Sequence, residues 1–201
     1  MKNLSTFLVE SVGTAFIKEL KNAMSSSIVK KFTPYGGEQD PNKYEAQDNN
    51  AKSVCDAINA SGKYKAVTVK EFYEMTTGKN PDNLSAAEWA RFDRENGDII
   101  FVDDNNKPLC KVDLKVSSDW LGAVSLGSII DFDKNGLYAC CCITTGEVKI
   151  VSHSDVEKLA KSGILSSPHS AKSYQGKPVK WNGQDCTTEY FVKGRDIKDK
   201  L

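Results

Sequence analysis

Two aspartates and one lysine stand at the ends of a predicted β-hairpin: Asp98, Asp113 and Lys115. Counting back from the turn places Asp98 directly opposite Asp113, and alternation along the strand puts Lys115 on the same face as Asp113. Opposed side chains of an antiparallel pair have Cβ atoms roughly 4.5–5.5 Å apart, so two carboxylates there repel each other. Because a divalent cation removes that repulsion, the pattern predicts a metal site with an ammonium group beside it.

The register of this hairpin depends on its turn. Asn105 and Asn106 tolerate the positive φ that a tight two-residue turn requires. If the turn makes Asp104 face Lys107, the two aspartates face each other. The opposite face of the hairpin is then apolar and fit for burial, with Ile99, Phe101, Cys110, Val112 and Leu114.

Hydrolysis of a phosphodiester bond suits this set of groups. Carboxylate oxygens bind Mg²⁺, the ion activates a water and stabilises charge on phosphorus, and the lysine ammonium positions or deprotonates that water. The alternative is a solvated sheet face, on which Asp98 and Asp113 are balanced by Lys111 and Lys115.

An Asp that opens one strand, followed after a hairpin by (Asp/Glu)-x-Lys, resembles the motif of the PD-(D/E)XK nuclease superfamily. This group includes many type II restriction endonucleases and Holliday-junction resolvases. Gly97 stands where the motif has proline. The resemblance implies an α/β fold with a restriction-endonuclease-like core, a central mixed β-sheet flanked by helices in the order αβββαβ. It also implies that Asp98 and Asp113 bind Mg²⁺, for which Mn²⁺ substitutes, and that Lys115 is the catalytic lysine.

Many members of this superfamily take a further metal ligand from a glutamate of the first helix. Glu10 interrupts the apolar stripe of the first predicted helix and is the first candidate, with Glu19 as the alternative. The 3.6-residue period points Glu10 away from the stripe. Glu10 is therefore ranked first by the resemblance, against the helical geometry.

Three other segments also match (Asp/Glu)-x-Lys, at residues 19–21, 147–149 and 196–198. The first lies on a predicted helix, the second follows a turn, and the third lies in a charged tail, so none gains a second acid. Asp113 alone acquires an acid partner across a hairpin.

The resemblance implies DNA as the substrate, and a homodimer is the simplest way to cut both strands of a symmetric site. Trp120 follows the lysine strand and is a candidate for stacking on bases. Lys172, Lys177 and Lys180 belong to a basic C-terminal quarter that we expect to contact the DNA. The alternative function is nucleic-acid binding or assembly on the same kind of fold, without turnover.

Apolar periodicity, caps and turn residues divide the rest of the chain into elements. Thr33 to Asn50 is predicted to be a surface loop, and residues 67–75 are left undecided between strand and helix. Helices are predicted over residues 4–24, 51–60, 85–96 and 125–132, and from Ser154. Strands are predicted over residues 98–103, 108–116, 137–144 and 147–151.

Composition narrows the functional class. The 201 residues carry 27 basic and 27 acidic side chains and 39% hydrophobic residues, as expected of one globular domain spanning residues 1–201. Because no apolar run approaches the roughly 18 residues of a membrane span and no secretion signal is evident, we expect no membrane association and a cytoplasmic location.

The cysteines fit the same setting. In a reducing compartment the six cysteines form no disulfides, and they lack zinc-site spacing. Cys140, Cys141 and Cys142 are expected to be small buried apolar residues. No glycine-rich phosphate loop occurs, which argues against a nucleotide cofactor.

Overall fold

A computed structural model describes residues 4–34, 42–167 and 176–201, with residues 4–12 described by their backbone alone. The helices are α1 (Leu4–Ala23), α2 (Ser26–Val29), α3 (Lys43–Ser61), α4 (Val69–Thr77), α5 (Ala86–Asn96), α6 (Leu126–Asp131), α7 (His153–Lys161) and α8 (Gly194–Lys200), with a 3₁₀ turn at Pro81–Asn83. The strands are β1 (Lys65–Thr68), β2 (Ile99–Val102), β3 (Pro108–Ser117), β4 (Val124–Ser125), β5 (Leu137–Cys142), β6 (Val148–Ser152), β7 (Pro178–Trp181), β8 (Gln184–Thr187) and β9 (Phe191–Val192).

Five strands form a central mixed sheet in the order β1-β2-β3-β5-β6. Strands β1, β2 and β3 pair antiparallel, β5 runs parallel to β3, and β6 pairs antiparallel with β5. The parallel pair requires a crossover, and α6 lies on it. The predicted α/β class with a central mixed sheet flanked by helices is confirmed. No helix within the described ranges has an apolar stretch long enough to cross a membrane.

The two faces of the sheet bury different helices. One face packs on α1 and α3, with Phe16, Ile58 and Phe101 in a shared core. On the other face α4 and α5 cover the β1–β2 end, and a separate cluster under α6 and α7 covers β5. Strand β3 lies between those two clusters, so its side chains on that face occupy the gap between α5 and α6.

The three consecutive cysteines follow the alternation of β5. Cys140 and Cys142 pack in the α6–α7 cluster, whereas Cys141 packs in the α1–α3 core. All three are buried and none forms a disulfide. Their predicted role as small apolar residues is confirmed.

The hairpin has the predicted register but not the predicted turn. Ile99 pairs with Val112 and Phe101 with Cys110, as predicted. The ladder ends at Ile99, and the Asp98 N–H donates to the Val112 carbonyl, so Asp98 lies beside β3 on the face of Asp113 but not in a regular pair with it. The register then shifts after Phe101, and the connection spans residues 103–107 instead of two residues. The Asp103 carboxylate explains this longer turn, because it accepts hydrogen bonds from two backbone N–H groups of the loop, at 2.8 and 2.9 Å.

The predicted loop over residues 33–50 is wrong from residue 43 onward, since α3 begins at Lys43; residues 35–41 lie outside the described residues. The buried face of this stretch consists of Ala46, Asn50 and Ala51, which carry little apolar signal. The Asn50 side chain accepts a hydrogen bond from the Thr33 N–H at 2.8 Å and donates one to the Thr33 carbonyl at 3.0 Å. A polar side chain thus takes the place of an apolar residue at this contact, which hides the helix from periodicity.

The undecided stretch contains both elements, because β1 ends at Thr68 and α4 begins at Val69. The Thr68 hydroxyl and the Glu71 carboxylate form a capping box at this boundary. The predicted capping box of α5, between Ser85 and Glu88, is confirmed. Helix α7 begins one residue before the predicted start, because Ser152 is its N-cap.

Candidate active site

The hairpin brings Asp98, Asp113 and Lys115 to the gap between α5 and α6. Asp98 precedes β2, on the face of Ile100, and its N–H donates to the Val112 carbonyl at 2.9 Å. Asp113 faces Tyr138 across the parallel pair β3–β5. The predicted juxtaposition of two acids and a lysine on one face is therefore present in the fold.

The structure explains why glycine stands at position 97, where the motif that the sequence resembles has proline. Gly97 ends α5 with φ of 71°, a backbone conformation that favours glycine. A Cβ atom at this position would lie 2.7 Å from the Val112 carbonyl oxygen and 2.9 Å from the Phe132 ring. The close approach of α5 to β3, which delivers Asp98 to the site, therefore requires glycine here.

The Asp98 carboxylate is held by the neighbouring strand. Its Oδ2 accepts a hydrogen bond of 2.6 Å from the Leu114 N–H. Burial, together with the negative charges of Asp113 and Asp93, raises the pKa of Asp98 well above its usual range. The Lys115 charge and the Leu114 hydrogen bond act in the opposite direction. Asp98 is thus a carboxyl group whose ionisation needs additional positive charge.

Both oxygens of Asp113 are engaged within the protein. Oδ1 lies 2.8 Å from Lys115 Nζ, and Oδ2 accepts a 2.5 Å hydrogen bond from the Ser128 hydroxyl. Asp113 is only 8% exposed. Ser128 comes from α6, where Ser125 caps the helix and accepts from the Ser128 N–H. Sequence patterns do not identify Ser128, because only the crossover through α6 brings its hydroxyl to Asp113.

Lys115 carries its charge into this buried site. Burial favours the neutral amine, but Asp113 and Asp98 outweigh that effect and raise the pKa of Lys115. The ammonium form is therefore the stable one. Lys115 can orient a phosphate or a water by donating hydrogen bonds, whereas it is a poor acceptor of protons here.

A third acid, Asp93, joins the cluster from α5. Burial, followed by the charge of Asp113, raises the pKa of Asp93 from 3.8 to about 6, and Asp48 contributes in the same direction. Asp93 lies four residues after Trp89 and hence on the same helix face. This position on a buried helix face was the sequence signal for Asp93, but the helix pattern does not reveal which element packs against that face.

Asp93 and Asp98 line a cleft of about 290 Å³ between α3, α4 and α5. Lys70 and Asp48 form an ion pair in it. The remaining lining comes from α3, the 3₁₀ turn and α5, with Tyr44, Gln47, Pro81, Asp82, Leu84, Ala86 and Trp89.

Neither candidate glutamate is placed at this site. The side chain of Glu10 lies outside the described residues, so its predicted role as a metal ligand stays a prediction. Glu19 is buried and lies 3.9 Å from Lys63 Nζ. Lys63 precedes β1 near the pairing of Lys65 with Val102, which is the opposite end of β2 from Asp98. The alternative that placed Glu19 at the metal is therefore wrong.

The donor chemistry of the site fits a hard divalent cation. Asp93, Asp98 and Asp113 offer carboxylate oxygens, the ligands that Mg²⁺ prefers. Burial, followed by the charges of the neighbouring acids, raises the pKa of Asp93 and Asp98. In the part of the chain that the structure describes, no three His, Cys, Asp or Glu side chains are arranged as a ready metal cage. Asp113 explains this, since its oxygens are directed to Ser128 and Lys115.

The residues predicted to contact nucleic acid differ in their distance from the site and in the side chains that pair with them. Trp120 is 66% exposed in the loop after β3, close along the strand to Lys115. Lys177 is exposed, and its carbonyl accepts a hydrogen bond from the Thr188 N–H. The Thr188 carbonyl in turn accepts a hydrogen bond from the N–H of Gly127, the residue before Ser128. Lys180 is exposed but its charge is matched by Asp185 at 2.6 Å.

One further residue of this group and the nearby Trp181 complete the account of this region. Lys172 lies outside the described residues. The Trp181 indole N–H donates to the Ala160 carbonyl at 3.4 Å, which ties the β7–β8 hairpin to α7.

The chain was also compared with known proteins. No family model, no curated protein and no solved structure matches it.

Proposed function

We propose that this chain is a Mg²⁺-dependent nuclease that hydrolyses DNA phosphodiester bonds, most like a type II restriction endonuclease. The observation that carries the proposal is that Asp98, Asp113 and Lys115 lie on one face, with Lys115 Nζ 2.8 Å from Asp113 and the Asp98 carboxylate held by the Leu114 N–H. The elements α3, β1, β2, β3, α6 and β5 follow the αβββαβ order of the PD-(D/E)XK core, with α4 and α5 inserted between β1 and β2.

Each group has a distinct part in the proposed reaction. Asp98 and Asp113 are the residues that would hold the ion, with Asp93 beside them. When bound, Mg²⁺ supplies positive charge at the scissile phosphate and lowers the pKa of a bound water. Lys115, which stays protonated, donates hydrogen bonds to a phosphate oxygen or to the attacking water. Ser128 keeps the Asp113 carboxylate in one orientation.

Contacts outside the site complete the proposal. Trp120 is an exposed stacking surface beyond the end of the lysine strand. Lys177 stands near the N-terminus of α6 through Thr188, where its exposed ammonium would attract a backbone phosphate. A homodimer would supply two such sites for the two strands of a duplex.

Metal-dependent cleavage is the test. Supercoiled plasmid and single-stranded circular DNA are incubated with the protein in Mg²⁺, in Mn²⁺ and in EDTA, alongside Asp113→Asn and the exposed control Asp104→Asn. We expect cleavage of at least one DNA form with either ion, and none in EDTA or with Asp113→Asn. Cleavage that survives both EDTA and Asp113→Asn, or no cleavage at all, overturns the proposal.

One observation favours a second candidate, nucleic-acid binding or assembly without turnover. Asp113 is satisfied by Ser128 and Lys115 and needs no ion to be stable. Calorimetric titration with Mn²⁺ separates the two candidates. A nuclease binds the ion and loses affinity in Asp113→Asn, whereas a binding protein retains DNA without cutting it and is indifferent to chelator.

A further inference from the structure

The cleft beside Asp93 and Asp98 is too small for a base pair, and its lining suits one flat ring. Its volume of about 290 Å³ is at the lower end of ligand pockets, which span roughly 300–1,000 Å³. It opens directly onto Asp93 and Asp98, so an occupant would be adjacent to the proposed scissile bond.

Two aromatic side chains stand in the cleft on different helices. Tyr44, on α3, is 61% exposed. Trp89, on α5, is half-buried and braced from behind by Phe92, with ring centroids 6.0 Å apart and an interplanar angle of 26°. The Tyr44 ring has Lys43 Nζ 5.6 Å from its centroid and is otherwise open to solvent. Aromatic rings of this kind are the surfaces on which proteins stack unpaired bases.

The charge of the cleft excludes a phosphate as the occupant. Asp48, Asp82, Asp93 and Asp98 line it, and the one lysine there, Lys70, is paired with Asp48. An anion would meet more carboxyl groups than lysines in this lining, and the charges of Lys115 and Lys43 offset Asp93 only in part. A group with N–H donors and no negative charge is instead favoured, because carboxylates accept hydrogen bonds and the Gln47 amide both donates and accepts.

From these observations we infer that the cleft binds one unpaired nucleobase of the substrate, with its phosphate on the Lys115 side of Asp98. The inference rests on the proposed nuclease function and names its substrate class. That class is single-stranded or locally unpaired nucleic acid, because a base inside a duplex must leave the stack to enter such a pocket.

Cleavage of matched oligonucleotides tests this substrate class. The substrates are a fully paired duplex, the same duplex with one extra unpaired nucleotide, and that duplex with an abasic nucleotide at the unpaired position. We expect the unpaired base to accelerate cleavage near it by about tenfold or more relative to both others, as the loss of one base–aromatic stack implies. Equal rates on all three substrates overturn the inference while leaving the nuclease proposal intact.

Variants locate the effect in the cleft. Tyr44→Ala and Gln47→Ala should remove most of the preference for the unpaired base, whereas Asn49→Ala, an exposed position on the same helix outside the cleft, should retain it. A preference that persists in Tyr44→Ala and Gln47→Ala alike places base recognition elsewhere and overturns the inference.

A binding measurement in EDTA judges the cleft without any cleavage. Deoxyadenosine and deoxycytidine should quench tryptophan fluorescence, deoxyribose 5-phosphate should not, and Trp89→Phe should abolish the quenching. If the protein cleaves nothing but the quenching is present, the nuclease proposal fails and the base site stands. No quenching by either nucleoside, equal quenching by deoxyribose 5-phosphate, or quenching that persists in Trp89→Phe counts against the base site.

Discussion

Replacing Asp93 by asparagine should stabilise the metal-free protein at neutral pH. Burial and the charge of Asp113 raise the pKa of Asp93 from 3.8 to about 6. The folded protein therefore resists the ionisation that the unfolded chain allows. Asparagine keeps the size of the side chain and removes the charge, so it relieves the repulsion.

The size of the effect follows from the pKa shift. About two pKa units at roughly 1.36 kcal/mol per unit give about 3 kcal/mol. Because Asp93 keeps part of its surface in solvent, screening reduces this, and we expect roughly 1–2 kcal/mol.

The pH dependence fixes the sign. Between about pH 4 and pH 6 the folded state holds a proton on Asp93 that the unfolded chain has released, so the free energy of unfolding falls as pH rises. Asp93→Asn lacks this contribution. The variant should therefore match the wild type near pH 4 and exceed it in stability at pH 7 and above.

Urea unfolding of both proteins in EDTA at pH 4, 5.5 and 7.5 measures the difference directly. The exposed Asp104→Asn in the β2–β3 connection is the matched control and should change stability by no more than about 0.5 kcal/mol at every pH. If Asp93→Asn has the wild-type stability at pH 7.5, or differs equally at all three pH values, the acids do not repel one another and the electrostatic account of the site is refuted. In a separate measurement, Mg²⁺ should narrow the difference in stability between wild type and Asp93→Asn, because an ion bound beside Asp93 stabilises the wild type more.

Three further outcomes are expected. If relief of repulsion acted alone, Asp113→Ala would keep or raise the stability, but Asp113 forms an ion pair with Lys115 and accepts a hydrogen bond from Ser128. Chemical denaturation should therefore show a loss of roughly 1–3 kcal/mol for Asp113→Ala. The loss should be smaller for Asp113→Asn, because asparagine keeps a hydrogen-bond acceptor. Gly97→Ala should lower the thermal midpoint and the free energy of unfolding by about 1–3 kcal/mol, because a φ of 71° is strained for alanine and the approach to β3 leaves no room for a Cβ. A thermal midpoint equal to that of the wild type would contradict this. Glu10→Gln should leave the rate of DNA cleavage almost unchanged, because the 3.6-residue period of the sequence predicts that Glu10 faces away from the apolar stripe. A large loss of rate would instead establish it as a ligand.

Local patterns in the sequence were sufficient for the elements whose signals are local. The capping box of Ser85 and Glu88 defines the start of α5, and Gly97 defines its end. Alternation of apolar residues gives β2 and β3 and their inner face, and from these the position of Asp98 and Asp113 on the other face follows even though the predicted turn was wrong. Register is robust in this way because a slip of one residue would turn the apolar face toward solvent.

Other features depended on contacts between distant segments. The first half of α3 is invisible to periodicity, because Asn50 buries a polar side chain whose partner is the Thr33 backbone. Ser128 meets Asp113 only because the crossover through α6 sets β5 parallel to β3.

The sequence by itself determined the chemical pair at the centre of the candidate site, because two strands joined by a short turn fix which residues face each other. Only the tertiary structure decided what surrounds that pair: Asp93 from α5, Ser128 from α6, and a cleft between α3, α4 and α5. The physical reason is that hydrogen bonding within a hairpin is local, whereas the packing of helices on a sheet face depends on the volume and shape of many side chains at once.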